Sequence, residues 1–402
     1  MIVPEPAIQE YASRPCPVCR GTRSTLLFHQ SFEQLSTARL LSGYDVVVCQ
    51  ECGAGFADRI PSQPVFDRYY RDLSKYHSHD RLPAGPPTVE QRFYDIAGLI
   101  APFIPTAESR VLEIGCASGG LLKALEERGF GNLCGSDPSP ECVRAAHELY
   151  GIPGLVGTVF TVPRPEVPYD FLVLTGVMEH IRDLDRTVER FHDLLGDGGR
   201  VYLEVPDASR YVPFEDAPFQ EFSLEHINFF SRTSLANLMR ARGFRVVETG
   251  HAWRPQHEIA CPSTYGVFQK CQDSWPLERD VETEPGLRAY IEGCHAEDRR
   301  IRSVIRQAVA PGERMIVWGV GAHTLRLLAT GGIDPSQVAL FVDSNPNYQR
   351  QELCGIPVGS PAELMTRREP ILISSCGSQN AIRTQLRDGL KLRNPLILLY
   401  GA

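Results

Sequence analysis

The central part of the chain alternates short apolar stretches with stretches whose apolar residues recur at helical spacing. From about residue 76 to 250, this order predicts a doubly wound α/β fold with a parallel sheet. The run at 200–205 is nearly all apolar, which is typical of a strand buried on both faces. The predicted strands are Arg110–Ile114, Asn132–Ser136, Asp170–Thr175, Arg200–Val205 and Phe244–Thr249, and the predicted helices include 119–129, 139–149, 184–195 and 232–242.

One apolar stretch runs directly into a glycine-rich turn, where residues 111–119 read Val-Leu-Glu-Ile-Gly-Cys-Ala-Ser-Gly. Gly115 and Gly119 allow a tight turn and a close approach of the backbone to a ligand, which a Cβ atom would obstruct. Asp137 follows 22 residues after Gly115, at the end of the next predicted strand. A carboxylate there can accept both hydroxyl hydrogens of a ribose. The spacing predicts an adenosine-cofactor site, with a purely structural turn as the alternative.

The turn resembles motif I of class I S-adenosylmethionine-dependent methyltransferases, because its Glu-x-Gly-x-x-x-Gly spacing is one residue wider than the dinucleotide fingerprint. The resemblance implies room for the amino-acid moiety of the cofactor. Residues 176–181 resemble the segment that flanks the methionine portion in that family, and Thr158 and Val159 are expected to border the adenine. The cofactor-binding residues expected are Tyr76, Glu113, Gly115, Cys116, Ala117, Gly119, Asp137, Pro138, Thr158 and Val177.

Two Cys-x-x-Cys pairs lie near the N-terminus, Cys16-Pro-Val-Cys19 and Cys49-Gln-Glu-Cys52, with 29 residues between them. This spacing predicts one tetrahedral Zn²⁺ held by four thiolates from two turns. Four cysteines close the coordination shell, which favours a structural zinc over a catalytic one. The other cysteines of the 12 in the chain are expected to be buried thiols rather than disulfides.

A third segment repeats the strand-to-glycine pattern after a charged helical stretch around 284–308. Gly319 and Gly321 precede a predicted helix, and the predicted strand Val338–Val342 runs into Asp343, which lies 24 residues after Gly319. Two hypotheses follow: a nicotinamide-binding Rossmann domain, or a degenerate α/β domain that holds part of a substrate. Thr324 stands where the dinucleotide fingerprint has its third glycine, which favours the second hypothesis.

Polar residues crowd into an apolar, aromatic stretch just after the fourth predicted strand, where Glu221, Glu225, His226 and Asn228 lie within ten residues of one another. Residues beyond the carboxyl ends of strands face the ligand crevice of an open α/β sheet. A partly buried histidine beside a carboxylate can hold a pKa near neutrality and move protons. The stretch therefore predicts a catalytic site, with bracing of the loop as the alternative role.

The order of a zinc-knuckle N-terminus, a methyltransferase-like centre containing Glu-His-x-x-Phe-Phe-Ser, and a C-terminal α/β domain resembles the sugar C-methyltransferases that act on nucleotide-linked 4-keto deoxysugars. The resemblance covers nearly the whole chain. It implies that Glu225 and His226 lie in the active site, with His226 as general base and Glu225 orienting it or binding a substrate hydroxyl. His180 is a second catalytic candidate, with a loop-bracing role as the alternative.

Three positions bear on how well the family pattern fits. Ser223 stands two residues before the Glu-His pair, where the family commonly has tyrosine, so that phenol is absent. The loop expected at 256–265 lacks the family's His-Gly-Gly-Ser-like sequence, and His257 is the candidate replacement for its histidine. The segment ending at Tyr76 resembles the family's aromatic lining of the cofactor pocket, with packing as the alternative role.

The chain of 402 residues exceeds one typical domain. We predict a zinc-binding module over 1–75, a methyltransferase core over 76–255 and a C-terminal α/β substrate-binding domain over 256–402. The net charge of −8 argues against nucleic-acid binding. The N-terminus has no basic start followed by an apolar core, and no apolar run approaches the roughly 20 residues of a membrane span, which predicts a soluble cytoplasmic protein.

The predicted function is transfer of a methyl group from S-adenosylmethionine to a small-molecule acceptor, preferably carbon of a nucleotide-linked keto deoxysugar. The alternatives are an O- or N-methyltransferase acting on another small polar metabolite, and a non-catalytic protein that binds the cofactor or a sugar nucleotide. The expected partner is therefore a nucleotide sugar, with no nucleic acid and no membrane.

Overall fold

In the described part of the chain, the strands form three sheets of four, seven and six strands. The structure is a computed structural model that describes residues 11–36, 40–72, 89–213, 216–256, 259–273 and 275–401. Tyr76 and His257, which the sequence analysis singled out, lie outside these described residues. Among the helices in these ranges, none is both long and apolar enough to cross a membrane.

The first sheet is antiparallel and carries the two cysteine pairs. Its strands are β1 (Ser24–Ser31), β2 (Gly43–Cys49), β3 (Gly55–Asp58) and, from much later in the chain, β9 (Asn228–Phe229), and helix α1 (Gln63–Asp72) follows β3. Strand β2 leads into the second cysteine pair, and its valines at 46–48 are buried. Phe66 anchors α1 because its side chain is fully buried in the core beneath this sheet.

The seven-stranded sheet forms the centre of the protein. All five strands and four helices predicted here are present in the described residues, although the fourth and fifth of these strands are longer than predicted. The elements of this part of the chain are α2 (Gln91–Ile100), β4 (Val111–Ile114), α3 (Gly120–Glu126), β5 (Leu133–Asp137), α4 (Pro140–Tyr150), β6 (Gly154–Val156), β7 (Tyr169–Thr175), α5 (Leu184–Leu194), β8 (Leu195–Pro206), α6 (Arg232–Arg240), β10 (Phe244–Gln256) and β11 (Ile259–Lys270).

The strand order of this sheet is β10-β11-β8-β7-β4-β5-β6, and its five strands from β4 to β8 run parallel. The order reverses at β4, which lies between β5 and β7. Ligands of open α/β sheets bind outside the carboxyl ends of strands at such a switch point. The glycine-rich turn follows β4 and therefore lies where the topology predicts a ligand.

The region around 256–265 was expected to be a loop, and this expectation is wrong for residues 259–265. These residues belong to β11, which pairs antiparallel with both β10 and β8. The central sheet consequently extends to Lys270, beyond the boundary expected at residue 255. The long pairing with β10 stabilises β11 as a strand, and local sequence does not disclose such pairing.

The third sheet follows a long helix and has six strands in the described residues. The elements are α7 (Thr283–Ala308), β12 (Met315–Trp318), α8 (Ala322–Ala329), β13 (Val338–Val342), β14 (Glu352–Leu353), β15 (Ile356–Gly359), β16 (Ile371–Ile373), α9 (Gln379–Thr384) and β17 (Leu396–Leu398). The strand order is β14-β15-β13-β12-β16-β17, and all neighbouring strands are parallel except β14 and β15.

Buried apolar side chains connect the three sheets. One core joins Tyr44 of the first sheet to Tyr290 of α7 and Val317 of the third sheet. A second core joins Val18 of the first cysteine pair to Leu112 of the central sheet. The three predicted segments therefore pack against one another, and the exact domain division remains a prediction.

Candidate active site

The glycine-rich turn between β4 and α3 borders a cavity of about 370 Å³. Gly115 and Gly119 both adopt left-handed backbone conformations, with φ of +82° and +81°. A Cβ on Gly115 would lie 2.6 Å from Cγ2 of Val177, so both its conformation and its packing require glycine. A Cβ on Gly119 would lie 3.0 Å from Cβ of Ala146 on α4. Gly115 thus lines the cavity, whereas Gly119 shapes the turn against the neighbouring helix.

Asp137 ends β5 beside this turn and holds it in place. Its Oδ2 accepts the backbone N–H of Ala117 at 3.0 Å, and its Oδ1 accepts that of Ser139 at 2.9 Å. Asp137 also lines the cavity, and its role toward ligand hydroxyl groups remains a prediction.

The cavity brings together most of the residues expected to bind the cofactor. Gly119 lies behind the turn and Tyr76 is outside the described residues, and the role of every residue in binding remains a prediction. The expected residues that line the cavity are Glu113, Gly115, Cys116, Ala117, Asp137, Pro138, Thr158 and Val177.

Glu113 is a buried carboxyl group that lines the cavity. Its side chain is buried, and its Oε2 has no hydrogen-bond partner in the described part of the chain. Burial, and secondarily the charge of Asp137, raise the pKa of Glu113 to about 8. The group is therefore mostly protonated at neutral pH in the protein without ligand. A cation in the cavity would favour its ionised form, so this orphaned oxygen fits a positively charged ligand.

Two histidines from distant segments face the other part of the cavity. His180 follows β7 and His226 precedes β9, and their ring centroids lie 5.0 Å apart. Nδ1 of His180 lies 3.0 Å from the backbone oxygen of Glu225. A carbonyl oxygen only accepts hydrogen bonds, so His180 must carry its proton on Nδ1.

Backbone and amide hydrogen bonds hold the two histidine segments together. The backbone N–H of Ile227 donates to the oxygen of Glu179 at 2.9 Å. The side-chain amide of Asn228 donates to the oxygens of Met178 and Ile181, at 2.9 and 2.7 Å. Asn228, noted in the sequence only as part of a polar cluster, is therefore the residue that joins the two loops.

The carboxylates around His226 are arranged differently from the expectation. Glu221 lines the cavity, and its Oε2 lies 3.6 Å from Nδ1 of His226. The carboxylate of Glu225 instead accepts a hydrogen bond from the Tyr69 hydroxyl at 3.0 Å, and Glu225 is not among the described residues that line the cavity. The geometry thus makes Glu221 the better candidate partner of His226, because a hydrogen bond to Tyr69 draws Glu225 toward α1.

Ser223 has a structural role that the sequence analysis did not foresee. Its hydroxyl oxygen accepts the backbone N–H groups of Glu225 and His226, at 3.2 and 3.1 Å. Short hydroxyl side chains form such local turns because they reach backbone groups two and three residues onward. Ser223 therefore fixes the loop that carries His226.

Helix α1 brings the N-terminal part of the chain into the cavity. Gln63 and Tyr70 both line it, and Oε1 of Gln63 accepts the backbone N–H of Arg182 at 2.8 Å. The Tyr70 ring meets the His180 ring edge-on at a centroid distance of 5.7 Å. From this segment we expected Tyr76 to be the aromatic residue that lines the cavity. Tyr70 lines it as well, and this was not predicted.

A buried ion pair lies in the same cavity and was also missed. Arg254 of β10 donates through Nε and Nη2 to the two carboxylate oxygens of Glu204 on β8, at 2.7 Å each. The Tyr202 hydroxyl donates to the same carboxylate. Because β11 separates β8 from β10, the only sequence signal was a glutamate within an apolar strand.

The four predicted metal-ligating cysteines converge. The sulfur atoms of Cys16, Cys19, Cys49 and Cys52 all lie within 4.8 Å of one another. The Cys16–Cys52 and Cys19–Cys49 pairs are 3.6 and 3.5 Å apart. A tetrahedral zinc with Zn–S bonds of about 2.3 Å places its sulfurs about 3.8 Å apart. The observed cluster therefore fits the predicted ion closely.

The turn after β12 repeats the arrangement of the turn after β4. The carboxylate of Asp343 accepts the backbone N–H of Val320 at 2.9 Å and that of Asn345 at 2.8 Å. The Thr324 hydroxyl donates to the backbone oxygen of Gly319 at 2.6 Å and lies 2.8 Å from the Ser374 hydroxyl. Thr324 is fully buried, so it fills the position of the third fingerprint glycine. The two glycine turns therefore share a backbone architecture but differ in their packing.

Comparison with known proteins agrees with this geometry. Residues 88–249 match a family model described as a methyltransferase domain. This chain therefore contains a class I S-adenosylmethionine-dependent methyltransferase domain. An uncharacterized methyltransferase of Staphylococcus carnosus is 27% identical over 116 residues, which are 28% of this chain and 55% of that protein.

Two further relatives of this methyltransferase domain have more specific names. The ubiquinone biosynthesis O-methyltransferase of Xylella fastidiosa is 27% identical over 113 residues, or 26% of this chain and 45% of that protein. A Mycolicibacterium smegmatis protein named "Probable S-adenosylmethionine-dependent methyltransferase" is 28% identical over 142 residues, or 35% of this chain and 53% of that protein. The chain spans about half the length of these relatives.

Proposed function

We propose that the protein transfers a methyl group from S-adenosylmethionine to the carbon next to the ketone of a nucleotide-linked deoxysugar. The observation that carries the proposal is that the glycine turn, with its acidic partners, and the two histidines line a single cavity. Methyl donor and acceptor must meet in one such space, where orientation lowers the barrier to displacement.

The turn side of the cavity is the proposed cofactor site. Gly115 leaves room for close approach, Asp137 would accept the ribose hydroxyls, and Glu113 would face positive charge. When bound, S-adenosylmethionine supplies an electrophilic methyl group on a sulfonium. The buried Oε2 of Glu113 has no hydrogen-bond partner among the described residues, and it supports this assignment because a cation would satisfy it.

The histidine side is the proposed acceptor site. Carbon beside a ketone becomes a nucleophile only after it loses a proton, and we assign that proton to His226. The carboxylate of Glu221, 3.6 Å from Nδ1, would stabilise the imidazolium that forms. His180 and Tyr70 would orient the acceptor, since both line this part of the cavity.

The C-terminal sheet is proposed to hold the nucleotide or sugar end of the acceptor rather than a redox cofactor. A Cβ on Gly321 would meet nothing within 4 Å, so there is space above the turn after β12. The buried side chain of Thr324 occupies the position of the third fingerprint glycine, which in dinucleotide sites allows the helix to pack closely against the strand.

Zinc is proposed as a structural ion. The backbone N–H groups of Gly21 and Glu51 point at the sulfurs of Cys19 and Cys49, at 3.3 and 3.4 Å. Such donors stabilise thiolates, the form of cysteine that binds metals. Four thiolates leave no open coordination position, so the ion would fix the two turns and take no part in the reaction.

Replacement of His226 by Asn tests the proposed base. His226→Asn should leave cofactor binding intact by calorimetry and lower turnover by about 10²–10⁴-fold, the usual contribution of a positioned general base. His147→Asn, which removes an exposed histidine of α4, is the control and should turn over at the wild-type rate. Wild-type turnover in His226→Asn would move the base to another group.

A second candidate function is methyl transfer to oxygen. The observation that favours it is the similarity to an O-methyltransferase over 26% of the chain. A hydroxyl acceptor would use the same base and the same cavity. Mass spectrometry and NMR of the product distinguish the two functions, because only carbon methylation places the new methyl group on a C–C bond.

A further inference from the structure

We infer that Glu179 is a further catalytic residue, which donates a hydrogen bond from a protonated carboxyl group to the ketone oxygen of the acceptor. The inference rests on the proposed function, in which the carbon beside that ketone loses its proton to His226. The C–H bond breaks, its proton passes to the imidazole, and its electron pair forms an enolate. A donor that already lies at the enolate oxygen lowers the barrier, because it meets the charge where the charge develops.

The turn that contains Glu179 is fixed to the loop that contains the proposed base. The backbone oxygen of Glu179 accepts the N–H of Ile227 at 2.9 Å. The side-chain amide of Asn228 donates to backbone oxygens on either side of Glu179, at 2.9 and 2.7 Å. These bonds hold the carboxyl group and the imidazole of His226 at a defined separation.

That separation suits a donor and a base that act on neighbouring atoms. One carboxylate oxygen of Glu179 and one ring nitrogen of His226 lie within 4.8 Å of each other, and both residues line the cavity. The ketone oxygen and the hydrogen that leaves are attached to adjacent carbon atoms. Glu179 and His226 can therefore reach both atoms at once, at heavy-atom distances of about 2.6–3.2 Å.

The surroundings of Glu179 favour the neutral carboxylic acid. The residue is only 3% exposed, and its Oε2 has no hydrogen-bond partner in the described part of the chain. An ionised carboxylate in such a place carries a large desolvation cost, which a proton removes. Burial is the main cause that raises the pKa of Glu179 to about 7. A protonated carboxyl group can donate a hydrogen bond, whereas a carboxylate only accepts them.

The charged groups that face this carboxyl come from β8 and from the two histidine segments. The charges of Glu221 and Glu204 also raise the pKa of Glu179, whereas His226 opposes this effect. Nε2 of His180 lies 3.8 Å from Oε1 of Glu179, too far for a hydrogen bond. When His226 takes the proton from carbon, its positive charge makes Glu179 more acidic. The hydrogen bond to the enolate oxygen therefore strengthens as the enolate forms.

Two substitutions distinguish a neutral donor from an ionised carboxylate. Glu179→Gln keeps the shape of the side chain and a hydrogen-bond donor, whereas Glu179→Leu removes the donor. With saturating cofactor and a nucleotide-linked 4-keto deoxysugar, kcat should fall about 10²–10³-fold in Glu179→Leu, the usual cost of one lost oxyanion donor, and less than about tenfold in Glu179→Gln. Glu189→Gln, which changes an exposed glutamate of α5, is the matched control and should match the wild type.

The pH profile gives a readout that a purely structural role of Glu179 would not change. At saturating cofactor, the wild-type kcat/KM for the keto sugar should fall as pH rises above about 7, because the donor loses its proton. Glu179→Gln should lack this decline, since its amide keeps its hydrogens throughout the range.

Three results would overturn the role of Glu179 alone: equal losses of kcat in Glu179→Gln and Glu179→Leu, wild-type kcat in Glu179→Leu, or the same decline at high pH in Glu179→Gln as in the wild type. Melting curves and calorimetry with S-adenosylhomocysteine show whether each variant folds and binds, and Glu179→Ala replaces Glu179→Leu if that variant does not fold. A wild-type protein that neither methylates keto sugars nor exchanges their acidic hydrogen would instead reject the proposed function, and the ketone contact with it.

Discussion

Glu113→Gln tests whether the cavity holds a protonated carboxylic acid in the absence of ligand. The pKa of Glu113 in the folded protein is raised to about 8, first by burial and then by Asp137. In the unfolded chain a glutamate titrates near about 4.3. Between these two values the folded state binds more protons than the unfolded state. The contribution of Glu113 to stability is therefore fully present below the unfolded pKa and is lost as pH rises to about 8.

The magnitude follows from the difference between the two pKa values. Each pH unit in this window reduces the wild-type folding equilibrium constant about tenfold through this one group, or about 5 kcal/mol over the whole window. Glutamine has a similar shape and no proton to lose. The stability of Glu113→Gln relative to the wild type should therefore rise steadily from about pH 5 to about pH 8 and level off above that range.

The assay is thermal unfolding of the cofactor-free proteins at several pH values across this window. The melting temperatures of wild type and variant are subtracted at each pH, because other titrating groups then cancel. Glu148→Gln, which changes an exposed glutamate of α4 paired with Arg144 at 3.2 Å, is the matched control and should show almost no pH trend. A flat difference for Glu113→Gln as well would mean that Glu113 is ionised throughout and would refute the reasoning.

The remaining predictions concern the cofactor site and the cysteine cluster. Asp137→Ala should weaken S-adenosylmethionine binding by about 1–3 kcal/mol, since the carboxylate both holds the turn and would bind the ribose; unchanged affinity by calorimetry would remove Asp137 from the site. Purified protein should contain one zinc per chain by metal analysis, and a strong chelator should unfold the N-terminal sheet, because metal binding and folding are coupled at such sites. Folded, active protein without zinc would defeat that assignment.

Local signals in the sequence predicted the geometry of the glycine-rich turn. Gly115, Gly119 and Asp137 lie where the strand, turn and helix pattern placed them, because the left-handed glycines and the acid that holds the turn belong to one βαβ unit. Strand β7 was recognisable for a similar reason, since the burial of residues 171–174 leaves a continuous apolar run.

The acceptor side depends on contacts between distant segments, which the sequence does not display. Glu221 was named only as one member of a polar cluster, and its position beside His226 follows from how the loop folds over α7. The pairing of Glu204 with Arg254 requires the long β10–β11 hairpin. Only Phe244–Thr249 of this hairpin was predicted as a strand, and the region 256–265 was expected to be a loop. Tertiary pairing of this kind overrides local propensity.

Ser223 shows how a departure from a family pattern can have a local physical reason. The family commonly has tyrosine at this position, so the serine suggested that a phenol near the substrate is missing. In the structure its hydroxyl instead accepts two backbone N–H groups of the loop that carries His226. Tyr69 and Tyr70 of α1 bring phenol groups to the same region from another part of the chain.

Exchange of hydrogen for deuterium in the acceptor is the most direct test of whether the protein removes a proton from the carbon that is methylated. The wild-type protein, with S-adenosylhomocysteine in place of the methyl donor, is incubated in deuterated water with a nucleotide-linked 4-keto deoxysugar. We predict that mass spectrometry detects deuterium at the carbon beside the ketone. His226→Asn should slow this exchange about 10²–10⁴-fold. The absence of both exchange and methylation with keto sugars, together with methylation of a hydroxyl or amine acceptor, would contradict carbon methylation.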